Sequence, residues 1–386
     1  MHADEVSSRA RDIHFSSLVF DTHTDTPQRL LFDRFDLAKR DAEGCVDIPR
    51  LREGGVRAVF FALWVPVEIT GGVATQRARD LLDAVVAQIQ LHSDALALCT
   101  SCTEIHVARA ANKIAICLGV EGGHAIDSDL SLLREFHARG VRYMTLTHNA
   151  ATEWADSSNA APLHNGLTGF GREVIREMNR LGMLIDISHV SDSTFYDVVE
   201  TSRAPVIASH SCCRAMCDAP RNLDDAMIKR LAAGGGVIHI AFHNSFLSQD
   251  YANAYRALAA ESSSREEDLK QKYGGNEARI LMEGQRWSDD SIRAGKLPQV
   301  RWEKIVEHID HAVAVAGADH VGIGSDFDGA FMPQGMEDAS RLPWITEGLV
   351  GRGYGDADIR KILGENTLRA MAEADRIGKK LSYEKS

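Results

Sequence analysis

The chain contains no run of about 18 consecutive apolar residues, and Met1 to Asp12 lack the apolar stretch of a secretory leader, so no membrane partner is expected. A basic face is missing too. Lys and Arg number 43 against 55 Asp and Glu, a net charge of -12. Phosphate backbones are held by clustered Lys and Arg, so nucleic acid is not an expected partner. Paired cysteines are also absent. The seven present (Cys45, Cys99, Cys102, Cys117, Cys212, Cys213, Cys217) are odd in number and irregularly placed, which argues against a disulfide framework. Neither Cys212-Cys213 nor Cys99/Cys102 has a second pair to complete a four-thiolate metal site, so all seven are read as small buried hydrophobes. The tail Gly378-Lys-Lys-Leu-Ser-Tyr-Glu-Lys-Ser is charged where a lipid-anchor signal needs an apolar end. The expectation is a soluble protein of a reducing compartment, the cytoplasm.

The 386 residues, 44% hydrophobic and 25% charged, suffice for a large core. Short runs rich in Val, Ile and Phe alternate with segments of helical period, the pattern of a parallel sheet built from βα units. Eight such runs are visible: 18–20, 58–64, 114–120, 141–146, 184–187, 206–208, 237–242 and 321–324. Helices are expected between them at 75–92, 128–139, 168–181, 192–201, 223–233 and 302–316, with Asp192 as a cap and Gly140, Gly182 and Gly317 closing helical runs. The fold class is therefore α/β, a (β/α)8 TIM-type barrel, with an open doubly wound sheet as the alternative that shares the alternation. One domain over residues 1–386 is expected. It carries a polar helical insertion at 248–299 before the eighth strand, read as a solvated decoration, a lid or a subunit contact. A C-terminal helical extension covers 339–386.

Metal-competent residues fall at the C-terminal ends of six of the predicted strands, which a (β/α)8 barrel gathers on one rim. They lie in Asp21-Thr-His23-Thr-Asp25, Glu121-Gly-Gly-His124, Thr147-His148-Asn149, Ser188-His189, Ser209-His210-Ser211 and Ser325-Asp326-Phe327-Asp328. His23 and Asp25, two apart in an extended strand, leave on the same face. With Glu121, His189 and His210 they make three imidazoles and two carboxylates, a donor set suited to Zn²⁺ and larger than one open tetrahedral site uses. Two ions sharing Glu121 is the simplest solution. Asp326 is read as the proton shuttle, with a third-ligand role as its alternative. His148 is either a ligand or a neutral donor to the carbonyl oxygen, and the second is chosen because five ligands suffice. Arg221, ahead of a helix, is a candidate clamp for a substrate carboxylate. His124 is read as a loop residue, and His92, His106, His137, His308 and His311 are given no site role.

With these residues in hand, the chain resembles the membrane (renal) dipeptidase family of zinc metallopeptidases, within the amidohydrolase-like barrels. The resemblance runs from Val19-Phe-Asp-Thr-His-Thr-Asp to Leu363-Gly-Glu-Asn, through Val120-Glu-Gly-Gly-His, Tyr143-Met-Thr-Leu-Thr-His-Asn, Trp154-Ala-Asp, Asp186-Ile-Ser-His-Val-Ser, Ala208-Ser-His-Ser, Arg221-Asn and Gly324-Ser-Asp-Phe-Asp-Gly. It implies His23, Asp25 and Glu121 on one zinc and Glu121, His189 and His210 on the other. His148 and Arg221 then touch substrate, and Asp326 is the acid/base. Two departures stand out. The motif usually written His-Asn-Asp-Leu-Pro is His23-Thr-Asp-Thr-Pro27 here, and a tyrosine of the mammalian members is matched to Phe246, which removes a hydroxyl from the substrate contacts.

The expected activity is hydrolysis of dipeptides, an L residue first and an L or D residue second, by a hydroxide bridging two Zn²⁺ per chain. The expected partners are the small dipeptide and a second copy of the chain in a homodimer. The alternatives are a related binuclear hydrolase of N-acyl amino acids or lactones, and a non-catalytic relative that binds peptide or metal.

Overall fold

The computed structural model describes residues 6–384 and holds a closed parallel barrel inside a layer of helices. Its strands are β1 (Val19–Thr24), β2 (Val56–Trp64), β3 (Leu96–Leu98), β4 (Ile114–Glu121), β5 (Val141–Thr145), β6 (Leu184–Asp186), β7 (Val206–Ser211), β8 (Val237–Ile240) and β9 (Val321–Ile323). They are ordered β2-β1-β9-β8-β7-β6-β5-β4-β3, and a further β2–β4 pairing closes the ring. Closure excludes the open doubly wound sheet. The predicted runs match all the strands of the ring. The unpredicted β3 is a short outer strand: β2 occupies one edge of β4, so Leu96–Leu98 takes the start of the other edge, where Ile114 to Ile116 precede the pairing with β5.

Alternation along the strands divides the core in two. Outward residues such as Val19, Val59, Phe61, Ile116 and Met144 pack beneath the helices. Inward residues, among them Phe20, Phe60, Cys117, Tyr143 and Ile207, fill the barrel, and Ala370, Met371 and Ala374 of the C-terminal helix Asn366–Tyr383 pack against them. Phe20 stacks on Phe60 at 5.4 Å, and Phe60 meets Tyr143 at 4.7 Å. Gly119 makes this layer possible, because a Cβ there would fall 2.1 Å from the Tyr143 ring.

Helices appear where apolar periodicity predicts them, with small boundary shifts. Asp192–Thr201 is capped by the Ser191 side chain, which accepts from Thr194 N; Asp192 is instead the first helical residue. Gly182 ends Gly169–Leu181 in the left-handed conformation, and Gly140 and Gly317 also have positive φ. The helices Ser8–Ser16, Thr26–Phe32, Ile48–Glu53 and Cys102–Ala110 fall outside those expected. Asp25 is the residue before Thr26–Phe32 and has left the extended conformation, so a shared strand face is not what brings it to His23. All seven cysteines are free, and no helix among the described residues is long and apolar enough to cross a membrane.

The insertion forms helices Gln249–Ala257, Ala259–Tyr273 and Glu277–Arg293. It lies over the C-terminal mouth of the barrel and is tied to the loops after β1 and β2. Lys270 reaches Glu68 at 3.1 Å, Arg279 reaches Asp33 at 3.2 Å and Glu43 at 2.6 Å, and Arg286 also pairs with Glu43. Of the three readings of this segment, the solvated decoration is the one its position opposes.

Three buried histidines away from the mouth lock parts of the fold together. His14 bridges Gly54 O and Thr346 Oγ1, both at 2.7 Å. His239 joins Ala208 O to Thr367, and His308 accepts from Cys213 N while donating to Leu247 O. Burial holds each imidazole down at about 4, against backbone hydrogen bonds that raise it. Their folded values lie below the unfolded one, so the stability they contribute is complete above pH 6.5 and is lost as pH falls towards 4. Going from about pH 7 to 5 is expected to cost on the order of 2 kcal/mol for each. Urea midpoints at the two pH values check this, and equal midpoints would contradict it.

Candidate metal centre

The mouth of the barrel gathers the residues singled out by sequence. Glu121 ends β4, His23 and His210 lie in β1 and β7, and Asp25, His148, His189 and Asp326 follow β1, β5, β6 and β9 directly. Glu121 stands in the middle: its Oε2 is 3.3 Å from His23 Nε2, while its Oε1 is 3.0 Å from His189 Nε2 and 3.4 Å from His210 Nε2. Asp25 Oδ2 and Asp326 Oδ1 lie 3.7 and 4.0 Å from His23 Nε2. Donor atoms within 4.8 Å of one another form three groups: His23, Asp25 and Glu121; His23, His210 and Asp326; Glu121, His148 and His189. The distances thus leave His148 and Asp326 within ligand range.

Supporting hydrogen bonds turn lone pairs towards the centre. Ser209 Oγ donates to Asp186 at 2.6 Å, so it accepts from His210 Nδ1 at 2.8 Å and leaves Nε2 unprotonated for a cation. Asp186 also accepts from the backbone of Ser188 and Ser209, joining β6 to β7. On the other side Asp21 accepts from Ser325 N and Oγ and from His23 N, joining β9 to β1, and the Tyr143 hydroxyl lies 2.9 Å from His23 Nδ1. Sequence reasoning assigns no role to Asp21, Tyr143, Asp186, Ser209 or Ser325. Their signal is present in the motifs, but only strand neighbourhood shows what they brace.

His189 and Asp326 have φ of 67° and 64°, a left-handed conformation rare outside glycine. Such geometry costs on the order of 1 kcal/mol or more and persists where surrounding contacts impose it. Here it aims both side chains at Glu121 and His23.

The donor set fits divalent metal. His189 Nε2 and His210 Nε2 face each other at 3.0 Å, a natural separation for two lone pairs directed at one cation. His23 Nε2 and Asp25 Oδ1 are buried without hydrogen-bond partners. Burial and the neighbouring Arg221 and His148 hold His189 well down, and burial and His23 hold His210 down at about 3. Burial pushes Asp326 up, helped by Asp25 and Glu121, and pushes Asp25 up to about 6. Glu121 and Asp25 instead hold His23 well up, against burial, so a proton on His23 occupies the place among these carboxylates that a cation would take.

A cavity of about 440 Å³ opens above the cluster and is lined by every predicted site residue except His23, which lies beneath it. Arg221 is buried at its edge, donating to His210 O at 2.9 Å and Ser211 Oγ at 3.2 Å, with its guanidinium 5.2 Å from the centre of the Phe246 ring. His148 packs between Trp64 and His189, and burial lowers it to about 4, so it is a neutral imidazole. His124 faces a different pocket, with Trp154 and Thr152. His243, which sequence reasoning misses, lines the cavity against Phe246 and Phe331. A second cavity of about 420 Å³ lies behind Phe331 and reaches none of the cluster.

Residues 7–385 match the family described as Membrane dipeptidase (Peptidase family M19). Dipeptidase 3 of Macaca fascicularis is 32% identical over 385 residues, covering 97% of this chain and 68% of the relative. The probable dipeptidase PvdM from Pseudomonas aeruginosa superposes with a TM-score of 0.81 at 26% identity, covering 97% of this chain and 100% of that one. A metallo peptidase from Rhodobacter sphaeroides, solved with a phosphinate mimic of the dipeptide L-Ala-D-Ala, gives a TM-score of 0.76 at 26% identity over 93% and 99% of the two chains.

Proposed function

The chain belongs to the membrane dipeptidase family, peptidase family M19, and from that premise we propose that it is a dipeptidase working with two zinc ions held by His23, Asp25, Glu121, His189 and His210. The observation that carries this reading is the Glu121 carboxylate, one oxygen towards His23 and the other towards His189 and His210. Ions held there would supply Lewis-acid polarisation of the amide carbonyl and acidify a water for the attack.

The chain's own residues do the rest. Arg221, buried and always charged, holds the C-terminal carboxylate of the substrate, which favours a free dipeptide over a longer chain. His148, kept neutral by burial, donates to the carbonyl oxygen as negative charge grows there. Asp326 accepts the proton released in the attack and passes it to the departing amine. Phe246 supplies an apolar wall beside Arg221 and no hydroxyl. The substrate carries an L residue first and an L or D residue second, a choice supported by the L-Ala-D-Ala mimic bound to the Rhodobacter relative.

Metal analysis of the purified protein, followed by turnover of a dipeptide library with both enantiomers at the second position, tests the reading. Two zinc ions per chain and cleavage are expected. Two ions with activity only on N-acyl amino acids or lactones would replace it with another hydrolase, and fewer than two ions would remove the shared role of Glu121.

A further inference from the structure

The roof of the cavity is made by two insertion helices that each turn one face inward. Ser262, Glu266 and Leu269 come from Ala259–Tyr273, and Glu277, Ile280 and Leu281 from Glu277–Arg293. Steps of three and four residues keep each set on one side of its helix. Most of the charge on this roof is already committed. Glu266 holds Lys270 at 2.9 Å, Lys270 also holds Glu68 at 3.1 Å, and Arg265 is turned to Glu283 at 3.8 Å. Glu277 faces the same cavity half-buried and has no hydrogen bond or ion pair among the described residues.

Burial raises the Glu277 carboxyl above its ordinary value, against the pull of Lys270 and Arg77. Its charged surroundings include Lys270, Glu68, Arg77 and Glu266, and Arg265 lines the same cavity. Arg77 is itself spread over the Phe32 ring at 4.8 Å. Arg279, one half-turn along the helix from Glu277, is tied to Asp33 after β1, and Lys270 to Glu68 after β2, whereas Arg221 follows β7, four strands from β2 around the ring of eight, so Glu277 and Arg221 approach the cavity from opposite sides of the mouth. With the carboxylate of the second residue at Arg221, the side chain of the first extends towards Glu277. Leu269 and Ile280 on the same faces offer apolar surface to a methylene stem that ends in a charge.

We propose that Glu277 selects the side chain of the first residue, so that the preferred substrates are dipeptides beginning with lysine or arginine. The inference rests on the dipeptidase reading and narrows its substrate class. The test compares kcat/KM for Lys-Ala and Arg-Ala with that for norleucine-Ala, on the metal-loaded full chain.

A preference of about tenfold for the basic substrates is expected, shrinking as salt is raised. Glu277→Gln should bring the ratio close to one, and Glu277→Lys should turn the preference towards Glu-Ala. A ratio is insensitive to partial loss of folded enzyme, and the salt series on the unmodified protein stands without any variant. A wild-type ratio near one, or a ratio that survives Glu277→Gln, overturns the proposal. Cleavage of no dipeptide at all strikes the dipeptidase reading itself, and this inference goes with it.

Discussion

Asp326→Asn is expected to lower kcat about 1000-fold while the protein keeps its full complement of metal. Asparagine preserves the volume of the side chain, and the left-handed backbone at this position tolerates it as well as it does aspartate. What is lost is the ability to accept and return a proton. Metal should stay, because His23, Asp25 and Glu121 on one side and Glu121, His189 and His210 on the other are all left in place. Metal analysis and steady-state kinetics on the same preparation separate the possibilities. Loss of one ion along with activity would make Asp326 a ligand, and an active variant would remove it from the proton path.

Glu121→Ala should do something different in kind: both ions leave together. Each proposed site borrows one oxygen of this carboxylate, so its removal leaves two ligands on either side. It also leaves buried imidazoles facing each other without their central anion. Metal per chain after gel filtration is expected to fall towards zero, and turnover by about 1000-fold or more. His210→Ala, which strips only one side, is the comparison. If Glu121→Ala retained one tightly held ion, the shared-carboxylate arrangement would be wrong.

The barrel and much of its site were legible because both follow from strand chemistry. Runs such as Ala58 to Trp64 and Ile114 to Val120 are rich in β-branched and aromatic residues over lengths a buried strand requires, and polar residues at the strand ends mark the rim. Less could be read where the deciding contact is distant in sequence. Leu96–Leu98 is too short to announce itself and exists because β4 leaves an edge free. Ser191 and Asp192 are both able to cap a helix, and only the chain's path decides between them. Asp25 reaches His23 through the start of a helix rather than by strand alternation. Asp21 and Asp186 are braces whose serine partners come from neighbouring strands. The insertion was the hardest segment. Its charges resemble those of a solvated surface helix, and their ties to Glu43 and Glu68 appear only once the barrel brings those loops beneath it.

Tyr143 belongs to two neighbourhoods at once: its ring is wedged among the aromatic residues filling the barrel, and its hydroxyl meets the imidazole of His23. The catalytic floor and the greasy interior are consequently one mechanical unit. Metal bound at the mouth would therefore be expected to stiffen the middle of the molecule, and a loosened interior to slacken the grip on it, so that heat tolerance and metal retention rise and fall together.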